Sequence, residues 1–154
     1  MGKAGVIDYS PITNILDRAQ RLNDADAWLF AFSHKDLRDE IIRLNTENQL
    51  FEEGIDSEGR DLGEYRPFTI EVKRKTGLPW DHVTLFQTGE FYASFRVTYD
   101  ANGFSIDANG DKPDKNLFDV YGDNVLGLTS FNMERIKTVI LQYYVKYVEE
   151  TLFR

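Results

Sequence analysis

The strongest constraint on the fold is a run of alternating apolar and polar residues around an Asn-Gly pair. Between Ser94 and Asn109 the chain reads SFRVTYDANGFSIDAN, with Asn102-Gly103 near its centre. An Asn-Gly pair flanked by alternating hydrophobic residues favours a two-residue type I′ hairpin loop. Because a one-residue slip would move every side chain to the other face, pattern and turn together predict an antiparallel hairpin with one apolar face.

The predicted register follows from that loop. With Asn102-Gly103 as the loop, Ala101 pairs with Phe104, Tyr99 with Ile106, and Val97 with Ala108. The apolar face then holds Phe95, Val97, Tyr99, Phe104 and Ile106, and the polar face holds Arg96, Thr98, Asp100, Ser105 and Asp107.

A helical region is predicted over residues 11–53. Ser10-Pro11 is typical of a helix start, and apolar residues recur at helical spacing after it. From Ala25 the pattern fits either one bent helix or two short ones, with Gly54 as the stop. Trp28, Leu29, Phe30 and Phe32 form a bulky cluster that we interpret as core, with a partner-facing surface as the alternative.

Residues 54–130 are predicted to hold a loop, a short helix and the sheet. The stretch 54–66, GIDSEGRDLGEYR, has three glycines and no period, so it is predicted to be a loop. Pro67 favours the start of a short helix that ends at Gly77, and LPWDH is predicted to be a turn. The segment LFDVYGDNVLGLT is an apolar segment interrupted by Gly122 and Gly127.

Residues 131–154 are predicted to be a long C-terminal helix packed on the sheet. A helix lying on one sheet face needs a single apolar stripe, whereas this one has two. The second stripe therefore predicts burial on two sides, under the N-terminal helices or against another subunit. The first stripe is Ile136, Val139, Ile140, Tyr143 and Tyr147, and the second is Leu141, Tyr144, Val145, Val148 and Leu152.

Together these elements predict an α+β fold in a single domain spanning residues 1–154. Its parts are an N-terminal arm (1–10), the helical region (11–53), the loop, short helix and sheet (54–130), and the C-terminal helix (131–154). A chain of 154 residues is long enough for one hydrophobic core and short for two.

The charge balance argues against two classes of partner. With 18 basic and 26 acidic residues the net charge is −8, whereas tight general binding to nucleic acid or to an anionic membrane rewards clustered Lys and Arg. No apolar run approaches the roughly 20 residues of a membrane span, and the N-terminus lacks a signal-peptide pattern. The simplest expectation is a soluble protein that is not exported and does not bind membranes.

The sequence offers no recognisable catalytic or cofactor chemistry. There is no cysteine, and the two histidines, His34 and His82, lie in different segments without metal-ligand spacing. We interpret His82 as a residue that orients a turn through hydrogen bonds. Serine-nucleophile, phosphate-loop and dinucleotide patterns are missing as well. We therefore predict no catalytic, cofactor-binding or metal-binding residue and no enzyme; a hydrolase using acidic residues of the 54–66 loop is the last-ranked alternative.

The region from Gly59 to Phe95 resembles a block found in small neck proteins of tailed bacteriophages, known as tail-completion, head-tail connector or virion-morphogenesis proteins. In that block a Gly-containing loop leads to a Pro, Ser or Thr helix start followed by Lys or Arg. A Leu-x-x-Thr-Gly-x-Leu/Phe-x-x-Ser segment comes next. The matching residues here are Gly59, Gly63, Pro67, Thr69, Lys73, Lys75, Leu85, Thr88, Gly89, Phe91 and Ser94.

The resemblance implies a structural, non-enzymatic virion protein that forms a homo-oligomeric ring at the head-tail junction and lines or seals the DNA channel. It also implies portal, connector or tail proteins as neighbours, only non-specific passage of DNA, and synthesis in the bacterial host cytoplasm before assembly into the neck. The contacts that close the ring would involve the C-terminal helix with its two apolar stripes and a free edge of the sheet. Candidate subunit-interface residues are Trp28, Phe30, Tyr144 and Val148.

The alternative from a different class is a small soluble interaction module encoded by a phage or prophage. It would bind one host or phage protein through Trp28, Phe30 and Phe32. Under either hypothesis we interpret Thr88-Gly89 as a corner of the fold, with Thr88 capping a short helical turn and Gly89 redirecting the chain.

Overall fold

The computed structural model describes residues 10–154, except for the side chains of Ser10 and Ile12; most of the predicted N-terminal arm lies outside this range. The predicted α+β class is confirmed by seven α-helices and one two-stranded antiparallel sheet in the described residues. None of these helices is long and apolar enough to cross a membrane. In chain order the elements are α1 (Ser10–Ala19), α2 (Asp24–Ser33), α3 (Lys35–Arg43), a π-helical segment (Leu44–Glu53), α4 (Pro67–Thr76), α5 (Glu90–Ala93), β1 (Arg96–Asp100), β2 (Gly103–Asp107), α6 (Leu117–Tyr121), a 3₁₀ turn (Asp123–Val125) and α7 (Ser130–Phe153).

The helical region after α1 consists of two α-helices and a π-helical extension rather than one bent helix. Asn23 caps α2, because its side-chain oxygen accepts a hydrogen bond from the Asp26 backbone N–H at 2.8 Å. At His34 the backbone is extended, which separates α2 from α3. The π-helical segment then continues α3 directly and ends, as predicted, at Gly54, whose φ of 67° is left-handed.

The hairpin forms with the predicted faces but with a different register. Val97 pairs with Ile106 and Tyr99 with Phe104, so the loop is Ala101-Asn102 and the predicted Asn102-Gly103 loop is wrong. The Asp100 carboxylate accepts a hydrogen bond from the Asn102 backbone N–H at 2.7 Å, which stabilises the observed Ala101-Asn102 loop. A shift of two residues keeps every side chain on its own face, so alternation alone could not distinguish the two registers.

Helix α7 covers the N-terminal helices with one side. It begins after Thr129, whose hydroxyl accepts a hydrogen bond from the Asn132 backbone N–H at 3.2 Å. Its broadest contact is with α2, and further contacts reach α1 and α3. Its Ile136 is fully buried in a core cluster that the hairpin residues Val97 and Ile106 also pack against. The inner stripe of α7 is thus used by the chain's own fold.

The hydrophobic core has two clusters that share the side chain of Ile106. The first lies among α2, α3, α7 and the hairpin. The second lies below the π-helical segment, around the chain from Val83 to Phe95 and α6. Buried members of the first are Ala31, Phe32, Leu37, Ile41, Leu44, Leu128 and Ile136, and those of the second are Leu50, Val83, Leu85, Phe91, Phe95, Leu117 and Val125.

Candidate functional site

The segment Leu85–Ser94 forms a corner that enters the second core cluster. Phe91 is 2% exposed, and its ring meets that of Phe95 at a centroid distance of 5.1 Å. Ser94 ends α5 and ties the corner to the hairpin, because its hydroxyl accepts a hydrogen bond from the Asn109 backbone N–H at 2.9 Å. The residues of the Thr-Gly-x-Phe-x-x-Ser pattern therefore meet in one place, with Phe91 as the buried anchor.

Thr88 and Gly89 occupy the start of α5, displaced by one residue from the predicted arrangement. The N-cap position belongs to Gly89, with a left-handed φ of 87°, and not to Thr88. The Thr88 hydroxyl still accepts a long hydrogen bond from the Glu90 backbone N–H at 3.4 Å. A Cβ on Gly89 would lie 3.4 Å from the Phe86 ring. The left-handed turn demands glycine at the cap, which explains why the threonine stands one position earlier.

The loop at residues 54–66 is held together by its own carboxylates. Asp56 is 7% exposed, and its carboxylate accepts hydrogen bonds from the backbone N–H groups of Glu58 and Arg60, each at 2.9 Å. The Gly63 N–H donates to the Asp61 carboxylate at 2.7 Å, and both Gly59 and Gly63 have positive φ in open surroundings. These acidic groups are engaged in shaping turns, and the two motif glycines lie at turns and not in the corner.

Helix α4 has the predicted bounds, with Pro67 in its first turn and Gly77 as its left-handed end at φ 72°. Thr69 lies on a cleft that it shares with Leu85 of the corner. Two elements of the matching block, the α4 start and the corner, therefore meet across this cleft.

The predicted subunit-interface residues divide between two places. Trp28 and Tyr144 lie together in an apolar groove between α2 and α7, with a volume of about 270 Å³, which we call the α2–α7 groove. Phe30 lies elsewhere and packs on Tyr147 and His34, with ring centroids 5.7 Å and 4.8 Å apart. Phe32 is fully buried and stacks on Trp28 at 5.4 Å, so it belongs to the core and not to a partner-facing surface.

The second stripe of α7 faces away from the core. Leu141 is 59% exposed, Val145 48% and Tyr144 41%, while Val148 and Leu152 are half-buried. The N-terminal helices cover only the inner stripe, so these five residues form an outward apolar surface, which we call the outer stripe. Leu141 and Tyr144 also line the α2–α7 groove, so groove and stripe are continuous.

Sequence reasoning missed a pair of buried amides that clamp the segment before α7. Asn45 donates to the Val125 carbonyl and accepts from the Gly127 N–H, both at 2.9 Å. Gln49, one turn later, donates to the Gly127 carbonyl and accepts from the Thr129 N–H, again at 2.9 Å. Both side chains are fully buried. They bond alternate backbone groups as a neighbouring β-strand would, and we call them the amide clamp.

A second missed feature is a set of half-buried tyrosines, two of which bond the backbone of Thr84. The Tyr92 hydroxyl donates to the Thr84 carbonyl at 2.5 Å, and the Tyr65 hydroxyl accepts from the Thr84 N–H at 2.9 Å. Burial, and to a lesser degree the nearby Tyr65, raises the pKa of Tyr92 well above its usual range. The same two causes raise the pKa of Tyr121. The Tyr65 and Tyr92 hydroxyls act as hydrogen-bonding struts for the backbone of Thr84.

His82 orients a turn, as the sequence suggested. Its Nε2 lies 2.7 Å from the Phe51 carbonyl and its Nδ1 lies 2.9 Å from the Asp81 carboxylate. The Nε2 contact joins the turn after α4 to the end of the π-helical segment, and the Nδ1 contact holds the ring within that turn. A histidine fixed on both sides serves as a brace for these two elements.

Comparisons with known proteins give no relative for this chain: no protein family, curated protein or solved structure matches it. The resemblance to phage neck proteins therefore stays a prediction, carried by the ordered residues of the block. The geometry adds that the block is built around a buried corner, and that the chain leaves an apolar surface on α7 uncovered.

Proposed function

We propose that this chain is a structural subunit that assembles with copies of itself through the outer stripe of α7. The carrying observation is the exposure of Leu141, Tyr144 and Val145 on a helix whose other side is already packed. Contiguous apolar surface of this kind marks interaction sites in soluble proteins. Trp28 and Tyr144 in the adjoining groove add aromatic side chains, which are enriched in interface centres.

The outer stripe of α7 favours a second copy of this chain as its binding partner. An apolar stripe on a long helix can pack against a different helical surface of a second copy, since side chains three and four apart interdigitate when two helices pack. Repetition of a head-to-tail contact closes into a ring when the rotation permits. The resemblance of residues 59–95 to phage neck proteins suggests a ring at the head-tail junction.

The charge of the chain is compatible with a channel through which DNA passes. A net charge of −8 repels phosphate at short range and opposes adhesion of the duplex to the wall. The neighbours in this proposal are portal, connector or tail proteins, and the chain would reside in the virion neck after synthesis in the bacterial host cytoplasm.

Electron microscopy of the purified full chain, alone and mixed with a phage portal protein, tests the proposal. We expect rings that seat on the portal complex. A chain that stays monomeric at high concentration and does not bind the portal would argue against a neck role.

A second candidate function uses the same groove for a different purpose. Trp28 is half-buried at the floor of the α2–α7 groove, where one apolar side chain of a foreign protein could insert. The chain would then be an interaction module with one stable partner. In that case Trp28→Ala would abolish partner binding while self-association through Val145 and Val148 stayed unchanged.

A further inference from the structure

The cleft between α4, the corner and the loop before α6 holds a buried lysine that forms no ion pair within residues 10–154. Lys73 is 2% exposed, and its ammonium donates to the Phe86 carbonyl at 2.6 Å. It also lies over the ring of Tyr65, 4.7 Å from the centroid. No carboxylate within residues 10–154 forms an ion pair with it. An ammonium carries three N–H donors, so a carbonyl and a ring face leave part of its bonding capacity open.

The surroundings of this lysine are positive although the whole chain is acidic. Lys112 and Lys115 lie on the same cleft, and Asp114 is the acidic residue among its lining side chains. Lys112 is largely covered, with 22% of its side chain exposed, and its ion-pair partner Glu90 lies 3.9 Å away at the outer edge. With Glu90 included, three lysines meet two carboxylates, which leaves a local excess of positive charge in a protein of net charge −8.

The wall that positions Lys73 is rigid. Leu85 has a φ of 56°, the left-handed region that a leucine rarely adopts, and it is 9% exposed. Such strain persists only when the surrounding structure holds it, here through the buried Thr84 and its two tyrosine partners. The Phe86 carbonyl that follows is the acceptor of the Lys73 ammonium. The cation is therefore preorganised and does not swing into solvent.

We propose that this cleft binds a carboxylate carried on a short carbon stem, with Lys73 and Lys112 as its charge partners. The volume of about 240 Å³ suits one small acid or a single acidic side chain. Leu85, Leu117 and Tyr121 supply apolar walls that would cover a carbon stem and offer nothing to a bare phosphate. The carboxylate comes either from a free small acid or from an Asp or Glu side chain of a second copy; in the latter case the inference rests on the assembly proposed above.

Titration of the full chain with glutarate, followed by calorimetry and by NMR shifts of Leu85, tests the site. We expect saturable binding that Lys73→Met weakens at least about tenfold, the effect of losing one charge-assisted hydrogen bond. Lys112→Gln, at the edge of the cleft, should weaken binding without disturbing the core. The control is Lys75→Gln on the same helix, because Lys75 has 74% of its side chain exposed and pairs with Glu71 outside the cleft.

Sedimentation of the same proteins, with and without glutarate, separates the two sources of the carboxylate. If a second copy supplies it, glutarate and Lys73→Met both weaken self-association, whereas Lys75→Gln does not. If the ligand is a free acid, glutarate binds and self-association stays unchanged, a result that holds even for a monomeric chain. The inference is overturned if glutarate does not bind and neither lysine substitution alters assembly, if binding survives both Lys73→Met and Lys112→Gln, or if inorganic phosphate binds where glutarate does not.

Discussion

At the scale of single residues, the amide clamp gives the segment before α7 its backbone partners. Gln49 bonds the Gly127 carbonyl and the Thr129 N–H, and Asn132 of α7 donates to the same side-chain oxygen at 2.9 Å. These hydrogen bonds are buried. In a buried site, leaving an amide group unpaired lowers stability by more than pairing it raises stability. The clamp therefore decides where the chain turns into its longest helix.

Substituting Gln49 should expose this dependence. We expect Gln49→Ala to lower the free energy of unfolding by about 3 kcal/mol, because two backbone groups of Val125–Thr129 lose their partners inside the protein. Urea denaturation measures the change. Gln142→Ala on α7, an exposed glutamine, is the matched control and should stay within about 0.5 kcal/mol of the wild type. Equal losses of unfolding free energy in the two variants would contradict the stabilising role of the amide clamp.

The raised pKa values of Tyr92 and Tyr121 predict how the free energy of unfolding responds to alkali. The folded-state pKa values of Tyr92 and Tyr121 are raised by burial, so the unfolded chain releases these protons first. Stability is fully present below the unfolded tyrosine pKa of about 10 and declines as the pH rises above it. Tyr92→Phe should lower stability at neutral pH by about 1 kcal/mol and make the alkaline decline shallower. Urea denaturation between about pH 8 and pH 11 checks this, and an unchanged alkaline slope in the variant would contradict it.

Residue-level features were the hardest to predict from the sequence. The corner glycine and the helix-ending glycines were predictable, because a left-handed φ has a compositional signal. The amide clamp was not, because Asn45 and Gln49 look like ordinary polar residues until the fold places Val125–Thr129 against them. The burial of Lys73 was not predictable for the same reason. A lysine in the run Lys73–Lys75 is expected to be exposed to solvent, and only the tertiary contact with Phe86 shows that it is buried.

At the scale of elements, two helices end at a left-handed glycine, one in a packed site and one in an open site. Gly54 and Gly77 both end helices in the left-handed conformation. A Cβ on Gly54 would lie 2.7 Å from a His82 ring carbon and 2.9 Å from the Val83 carbonyl, whereas one on Gly77 meets nothing within 4 Å. Gly54 is therefore required both for the left-handed backbone and for the close packing of His82 and Val83. Gly77 is required for the left-handed backbone alone.

Alanine at these two positions separates the contributions. Gly77→Ala should cost about 1 kcal/mol, the penalty of a left-handed non-glycine residue. Gly54→Ala should cost about 1–3 kcal/mol more, because His82 or the Val83 backbone must move. Thermal and urea unfolding of both variants measure the difference. Equal losses would show that the backbone at His82 yields without cost.

The elements themselves followed largely from local signals, and the exceptions have physical causes. Pro67 and Gly77 predicted the ends of α4, the apolar stripes predicted the extent of α7 to within about two residues, and alternation predicted the hairpin faces. The predicted register was wrong because a two-residue shift preserves the faces, and the Asp100 side chain stabilises the Ala101-Asn102 loop instead. The π-helical geometry of Leu44–Glu53 leaves no sequence signal that separates it from an α-helix.

At the scale of the whole molecule, the two sides of α7 have different tasks. The inner stripe joins α2, α3 and the hairpin in one core cluster, whereas the outer stripe leaves apolar surface on the outside. Two stripes were visible in the sequence, but not which of them the N-terminal helices would cover. The fold answers that question and leaves the outer stripe, continuous with the α2–α7 groove, as the surface for assembly.

Sedimentation velocity over a wide concentration range, with single substitutions in the outer stripe, tests self-association most directly. We expect the wild type to associate as its concentration rises. Leu141→Glu and Val145→Glu should remain monomeric with unchanged thermal stability, because both positions are exposed in the monomer. Gln142→Glu, which adds the same charge at a neighbouring exposed position, should associate like the wild type. A wild type that stays monomeric throughout, or outer-stripe variants that associate as it does, would contradict assembly through this surface.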